Sequence, residues 1–149
     1  KNLNIMKKMF LSLTALLMCL SASAFEFDGI DLNGSFVEIT RQISQKGYVY
    51  DDTKNCLKGV CQGDEIYLSI NNTDVKEKGK IGQLIIDVPM NVNNAYTAVS
   101  KTFNVVYHQI AKDDKSTTYK VAEDGTTLVV TATGQGVRLT YNTPYYKVK

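Results

Sequence analysis

From Asn91 to Lys112 the apolar residues Val92, Tyr96, Val99, Phe103, Val106 and Ile110 recur at alternating steps of four and three. That spacing places all six on one stripe of an α-helix, widened by Tyr107 and Ala111. Asn91, just after Pro89, is a natural N-cap, so a helix over about 91–112 is expected. A second helix is predicted over about 35–46. Ser35 and Glu38 have capping-box spacing, Phe36, Ile39 and Ile43 form the buried stripe, and Gly47 ends it.

Elsewhere the period is two. Ile66, Leu68 and Ile70 alternate with Tyr67 and Ser69, the pattern of a half-buried strand. Ile81 to Val88 is the most apolar run and is expected centrally in a sheet. Tyr48–Tyr50 and Cys56–Gln62 are further strand candidates, and Phe25 to Leu32 reads as a short strand or extended lead-in. After the long helix, Ser116–Ala122, Thr126–Thr133 and Val137–Tyr141 form a meander, turning at Asp124-Gly125 and Gly134-Gln135-Gly136. The order is helix, about four strands, helix, about three strands. Hairpin connections and segregated helices predict an α+β domain: one antiparallel sheet of about six to seven strands with both helices on one face. Two related halves, each a helix followed by a meander, are consistent with that order.

The beginning of the chain follows another rule. Lys7-Lys8 precedes the apolar run MFLSLTALLMCLSASA, which ends in Ala22-Ser23-Ala24. This is the order of a secretory signal peptide. The expectation is a leader over 1–24, a single domain over 25–149, and a periplasmic or extracellular location. The leader also changes the charge. Of 17 basic and 15 acidic residues, Lys1, Lys7 and Lys8 leave with it, so 14 basic face 15 acidic, a net charge of −1. Such a chain lacks the basic excess that nucleic-acid binding requires.

Candidate chemistry is sparse. Beyond the leader the cysteines are Cys56 and Cys61. An oxidising compartment favours a bridge, but residues five apart in a straight strand point to opposite faces. A Cys56–Cys61 disulfide therefore requires a turn at Lys58-Gly59, and both alternatives stand. His108, the one histidine, falls towards the flank or solvent side of the predicted long helix, far from a Cys-x4-Cys pair that would make a weak metal site. No metal, cofactor or catalytic residue is assigned. The acidic pairs Asp51-Asp52, Asp64-Glu65 and Asp113-Asp114 sit at element boundaries, where carboxylates shape turns. Tyrosine is the abundant aromatic, nine against no tryptophan. If Tyr67, Tyr119 and Tyr141 share the uncovered sheet face, they form a rigid contact surface.

The run FDGIDLNGSFVEITRQISQKGY, Phe27 to Tyr48, resembles the opening of small secreted proteins of anaerobic Gram-negative bacteria. Their pattern is a Phe-x-Gly-Ile start, a Gly-Ser pair before the helix and a Lys-Gly-aromatic exit. The helix-then-meander order is similar to the beta-lactamase-inhibitor-protein-like fold. The resemblance implies an exported α+β domain and no catalytic residues. The functional expectation is a non-enzymatic binding or inhibitor-like module whose open sheet face meets another exported or envelope protein. The alternative is an enzyme or small-ligand-binding protein with a pocket assembled from distant residues.

Overall fold

The computed structural model describes residues 26–90 and 94–149; the leader expected over 1–24, Phe25, the proposed cap Asn91 and the stripe residue Val92 lie outside them. Two short strands, β1 (Glu26–Phe27) and β2 (Ile30–Asp31), pair through Asp28-Gly29, both at positive φ (50° and 78°). Two-residue hairpin turns demand that conformation at both central positions. Helix α1 follows over Phe36–Gln45, one residue inside each expected end. The Ser35 hydroxyl accepts a hydrogen bond from the Glu38 amide at 3.1 Å, so half of the capping box forms. The Glu38 carboxylate turns instead to Arg41 and Gln42 of its own helix.

These contacts hold Glu38 down at about 2, with the Arg41 hydrogen bond the largest cause and Gln42 next. A carboxyl depressed below its ordinary 4.5 contributes stability that is fully present above that value and is lost as pH falls through the folded pKa. Glu38→Gln is therefore expected to flatten the fall in stability between about pH 4.5 and 2. Urea denaturation of both proteins across that range checks it; parallel curves would show that the pair contributes nothing.

After α1, strands β3 (Val49–Asp51), β4 (Cys56–Cys61), β5 (Asp64–Asn71) and β6 (Gln83–Pro89) form an antiparallel meander. Helix α2 (Ala95–Val106) is followed by a second meander of β7 (His108–Lys112), β8 (Ser116–Lys120), β9 (Thr127–Ala132) and β10 (Gly136–Asn142). The sheet order is β3-β4-β5-β6-β10-β9-β8-β7. Each half is one helix and four strands, and the halves join antiparallel through β6 and β10, with Ile86 opposite Leu139. The α+β class holds. The sheet has eight strands, with two more in the separate hairpin, rather than six to seven.

The extra strand comes from the expected long helix. Residues 107–112 are not helical: Tyr107 is extended (φ −122°, ψ 160°) and β7 begins at His108. The apolar spacing continued past Val106, but Val105-Val106-Tyr107 is a β-branched and aromatic run of weak helix propensity. As a strand, this segment pairs with β8 through the turn that Asp113 shapes, its carboxylate accepting from the amides of Lys115 and Ser116. The consequence is visible in burial. Val99 and Phe103 are core residues, whereas Val106 and Ile110, placed on the same stripe by spacing, are exposed. The start of α2 also differs: Asn94, at φ 62°, precedes it without a side-chain cap.

One face of the sheet is covered. Ile66, Leu68, Leu84, Ile86, Val88, Val137, Leu139, Tyr141, Leu128, Val130 and Tyr119 form a single cluster with Ile39 and Ile43 of α1, Val99 and Phe103 of α2, and Phe27 and Ile30 of the hairpin. Burying each large side chain is worth about 1.5–3 kcal/mol. Gly59 belongs to this face. A Cβ there would lie 2.3 Å from the buried ring of Tyr48, which fills the space instead. The C-terminal segment is held as well: Val75 bridges to Tyr146, and the Lys147 amide donates to the Asp74 carbonyl at 2.9 Å.

Candidate functional site

Because successive strand residues point to opposite faces, each core strand also presents a second set of side chains. Register aligns these into rows across the face that no helix among the described residues covers, here called the uncovered face. Lys58, Tyr67, Asp87, Arg138, Thr131 and Ser116 lie in one row, and Ser69, Ile85, Thr140, Val129 and Thr118 in the next. A third row contains Asn71, Gln83, Asn142 and Thr127.

That third row is a chain of hydrogen bonds. Asn71 Nδ2 donates to Gln83 Oε1 at 2.9 Å, Gln83 Nε2 to Asn142 Oδ1 at 2.8 Å, and Asn142 Nδ2 to Thr127 Oγ1 at 3.0 Å. Gln83 and Asn142 each use their carbonyl and an N–H within the row, while the Asn71 carbonyl accepts from the Thr73 and Asp74 amides, and so all three orientations are fixed. In the first row Arg138 forks onto Asp87, with Nε–Oδ1 at 2.8 Å and Nη2–Oδ2 at 3.1 Å. This bidentate pair raises the pKa of the guanidinium and ties the two meanders together on the exposed side.

A depression of about 560 Å³ opens beside this pair. Its lining includes Cys56, Tyr67, Ser69, Asp87 and Arg138, with Lys54 from the β3–β4 loop and the Thr133–Gln135 turn between β9 and β10. The Tyr67 hydroxyl donates to Glu65 Oε1 at 2.6 Å, and the Lys54 ammonium lies 5.0 Å from the Tyr67 ring centre. The bond to Glu65 is the chief reason that the Tyr67 hydroxyl is pushed up to about 12. Burial, then the charges of Asp51 and Asp87, push the Cys56 thiol up against the opposing effect of Lys54. A second depression, about 760 Å³, lies between the start of α2 and the same turn, sharing Pro89 and Thr133–Gln135 with the first.

The three expected tyrosines do not come together. Tyr67 is on the uncovered face, although only 8% exposed. Tyr119 and Tyr141 are fully buried on the covered face, so the expectation that they share the open face is corrected. The phase of β10 explains Tyr141: it lies two and four residues after Leu139 and Val137, both core. Tyr119 packs against Phe103 at 6.1 Å and Tyr107 at 6.5 Å, and its hydroxyl donates to the Ser100 carbonyl at 2.9 Å.

The Cys56–Cys61 bridge is absent, for Cys56 is a free thiol. Strand β4 runs straight past Gly59, which stays opposite Ile66, so Cys56 reaches the uncovered face while Cys61 is buried. His108 is exposed on β7, opposite Lys120, not on a helix. Among the described residues, no three His, Cys, Asp or Glu side chains converge as a metal would require, and no helix is long and apolar enough to cross a membrane.

Sequence reasoning missed Asp87, Arg138, Lys54 and the amide row. Asp87 and Arg138 each stand out of phase between core residues, Ile86 and Val88 in one strand and Val137 and Leu139 in the other. That phase was readable; their pairing across 51 residues was not. Comparison with protein-family models, with curated proteins and with solved structures gives no match.

Proposed function

We propose that this chain is an exported, non-enzymatic binding module that presents the uncovered sheet face to a partner protein. The observation that carries this reading is a face of an eight-stranded sheet that no helix among the described residues covers, with its amide row and the Arg138–Asp87 fork held by cross-strand hydrogen bonds. Strands about 4.8 Å apart and roughly 20 Å long give a face on the order of 700 Å², close to the roughly 800 Å² that each partner buries in a stable complex. Preformed orientation matters because ordering loose side chains on binding costs roughly 0.5–1.5 kcal/mol apiece. The resemblance of the chain's opening to small secreted proteins points the same way for export.

The chemistry of the depression supports binding rather than turnover. Asp87 is committed to Arg138, and both Tyr67 and Cys56 are shifted away from the neutral range in which a base or nucleophile is primed.

Thr140 lies in the middle row between Ile85 and Val129. Thr140→Arg is expected to change folding stability by no more than about 0.5 kcal/mol and to weaken partner capture at least about tenfold, a loss of about 1.4 kcal/mol. Immobilised protein and variant would be incubated with envelope and culture-supernatant fractions, and captured proteins identified by mass spectrometry. Identical captured sets at identical yields would overturn the assignment of this face.

A further inference from the structure

Strand β7 carries a conflict between its sequence and its place. It lies at the outer edge of the sheet, paired only with β8 among the described residues, and all five of its residues are exposed. Its pairing is broken at Ile110, where the register shifts between Gln109 and Ala111. Gln109, Ala111 and Lys112 are good helix formers, and alanine and lysine are poor strand residues. Two apolar side chains fit no better. Val106 is 41% and Ile110 52% exposed, although their spacing sets them on the stripe of the buried Val99 and Phe103.

Helix α2 also ends without a local stop. Gly47, at φ 93°, follows α1, but no glycine or proline occurs from 107 to 124. The Tyr107 amide still donates to the Phe103 carbonyl at 2.8 Å, a helical bond. The chain leaves the helix through the extended backbone of Tyr107 itself. The Tyr107 ring stacks on that of Phe103, centres 5.8 Å apart. Residues four apart are neighbours on a helix, so a helix continued through this point keeps that contact. What holds β7 as a strand is β8 and the turn between them. There the Asp113 carboxylate accepts from the Lys115 and Ser116 amides at 2.8 Å each and from the Ser116 hydroxyl at 3.1 Å.

We infer that residues 107–112 form a displaceable edge, exchanging between strand β7 and a continuation of α2. In the second state the helix is longer by roughly 9 Å, Val106 and Ile110 rejoin the stripe of Val99 and Phe103, and β8 becomes the edge of the sheet. The unpaired backbone groups of such an edge are what an extended segment of a partner binds, so β7 acts as a removable cover over β8. The inference does not depend on the uncovered face being a binding surface.

The test is relaxation dispersion and saturation transfer on the 15N,13C-labelled protein, which give the population and the 13Cα shifts of a minor state. That state is expected to show helical shifts at His108, Gln109, Ile110 and Ala111. Asp113→Ala releases the turn and removes an acid from the end of the lengthened helix, so it should raise the population about tenfold. His108→Ala leaves the turn intact and should raise it about threefold, whereas Ala111→Val should lower it about threefold. All three positions are exposed. Random-coil shifts in the minor state would mean simple fraying and overturn the inference. So would the absence of a minor state in both Asp113→Ala and His108→Ala, or populations that do not respond to the three substitutions.

Discussion

Tyr119→Ala is expected to cost about 3–5 kcal/mol of folding stability, the range for removing a large aromatic side chain from a packed interior. Tyr119 is completely buried, with Phe103 and Tyr107 against its ring. The cavity left behind would be bounded by α2 on one side and the sheet on the other, and neither collapses easily onto it. Tyr119→Phe keeps the ring and loses only the hydrogen bond to the Ser100 carbonyl, so a loss of about 1 kcal/mol is expected. Since whole domains are stable by about 5–15 kcal/mol, the alanine variant would sit close to unfolding and the phenylalanine variant would not. Urea denaturation of the three proteins distinguishes them. A cost under about 1 kcal/mol for Tyr119→Ala would mean that this tyrosine is not a core residue and would return it to the candidates for the exposed face.

Gly136→Ala is expected to cost about 2–3 kcal/mol, towards the upper end for an overpacked site. A Cβ at Gly136 would stand 2.1 Å from the Val88 carbonyl oxygen and 2.6 Å from the Met90 amide nitrogen. Those are backbone atoms of the adjoining strand end, and no rotamer change moves them aside. Relief requires prising Gly136 away from Pro89, its partner at the end of the β6–β10 pairing, and straining the Met90 amide bond to the Gln135 carbonyl, now 3.0 Å. Gly134, two residues earlier in the same turn, has nothing within 4 Å of an added Cβ, so Gly134→Ala should stay within about 0.5 kcal/mol. The pair forms its own control under urea denaturation: equal costs would show that general turn flexibility, not the contact with Val88, sets the effect. Because both depressions share this turn, Gly136→Ala should also disturb amide shifts in each of them.

These two sites also show what could be read from the chain. Helix α1 was legible because its cap, stripe and terminator are local, and β5, β6, β9 and β10 because their alternation is clean. Residues 107–112 were misplaced because the three-four apolar spacing ran on through Ile110, whereas β7 is exposed at all five positions and has no alternation that could have marked it as a strand. The β1–β2 hairpin carried its own signal, Asp28-Gly29, yet such short strands offered no periodicity to set beside it. Tyr141 could have been assigned to the core from its phase with Val137 and Leu139. Tyr119 could not, since Ser116, Thr117 and Thr118 before it give no apolar phase. The face itself depends on which strands are neighbours. The Asn71–Gln83–Asn142–Thr127 row and the Asp87–Arg138 fork join residues that only the β6–β10 pairing brings together.

That pairing has a consequence for how the molecule could be taken apart. Within the sheet the two meanders meet at β6 and β10, aided by the Thr143 hydroxyl, which donates to the Ile81 carbonyl at 2.7 Å, and by the C-terminal segment that bonds to Asp74–Lys76. A chain cut between β6 and α2 would yield two fragments, each contributing one described helix and four strands of the sheet, the first also carrying the β1–β2 hairpin. Neither would own a complete surface, for Ile85 and Gln83 belong to one piece, and Thr140 and Asn142 to the other. Recognition and reassembly would then be thermodynamically linked: whatever binds across the seam must draw the fragments together in proportion to its affinity. Complementation of the two fragments would therefore report a molecule that binds across the seam.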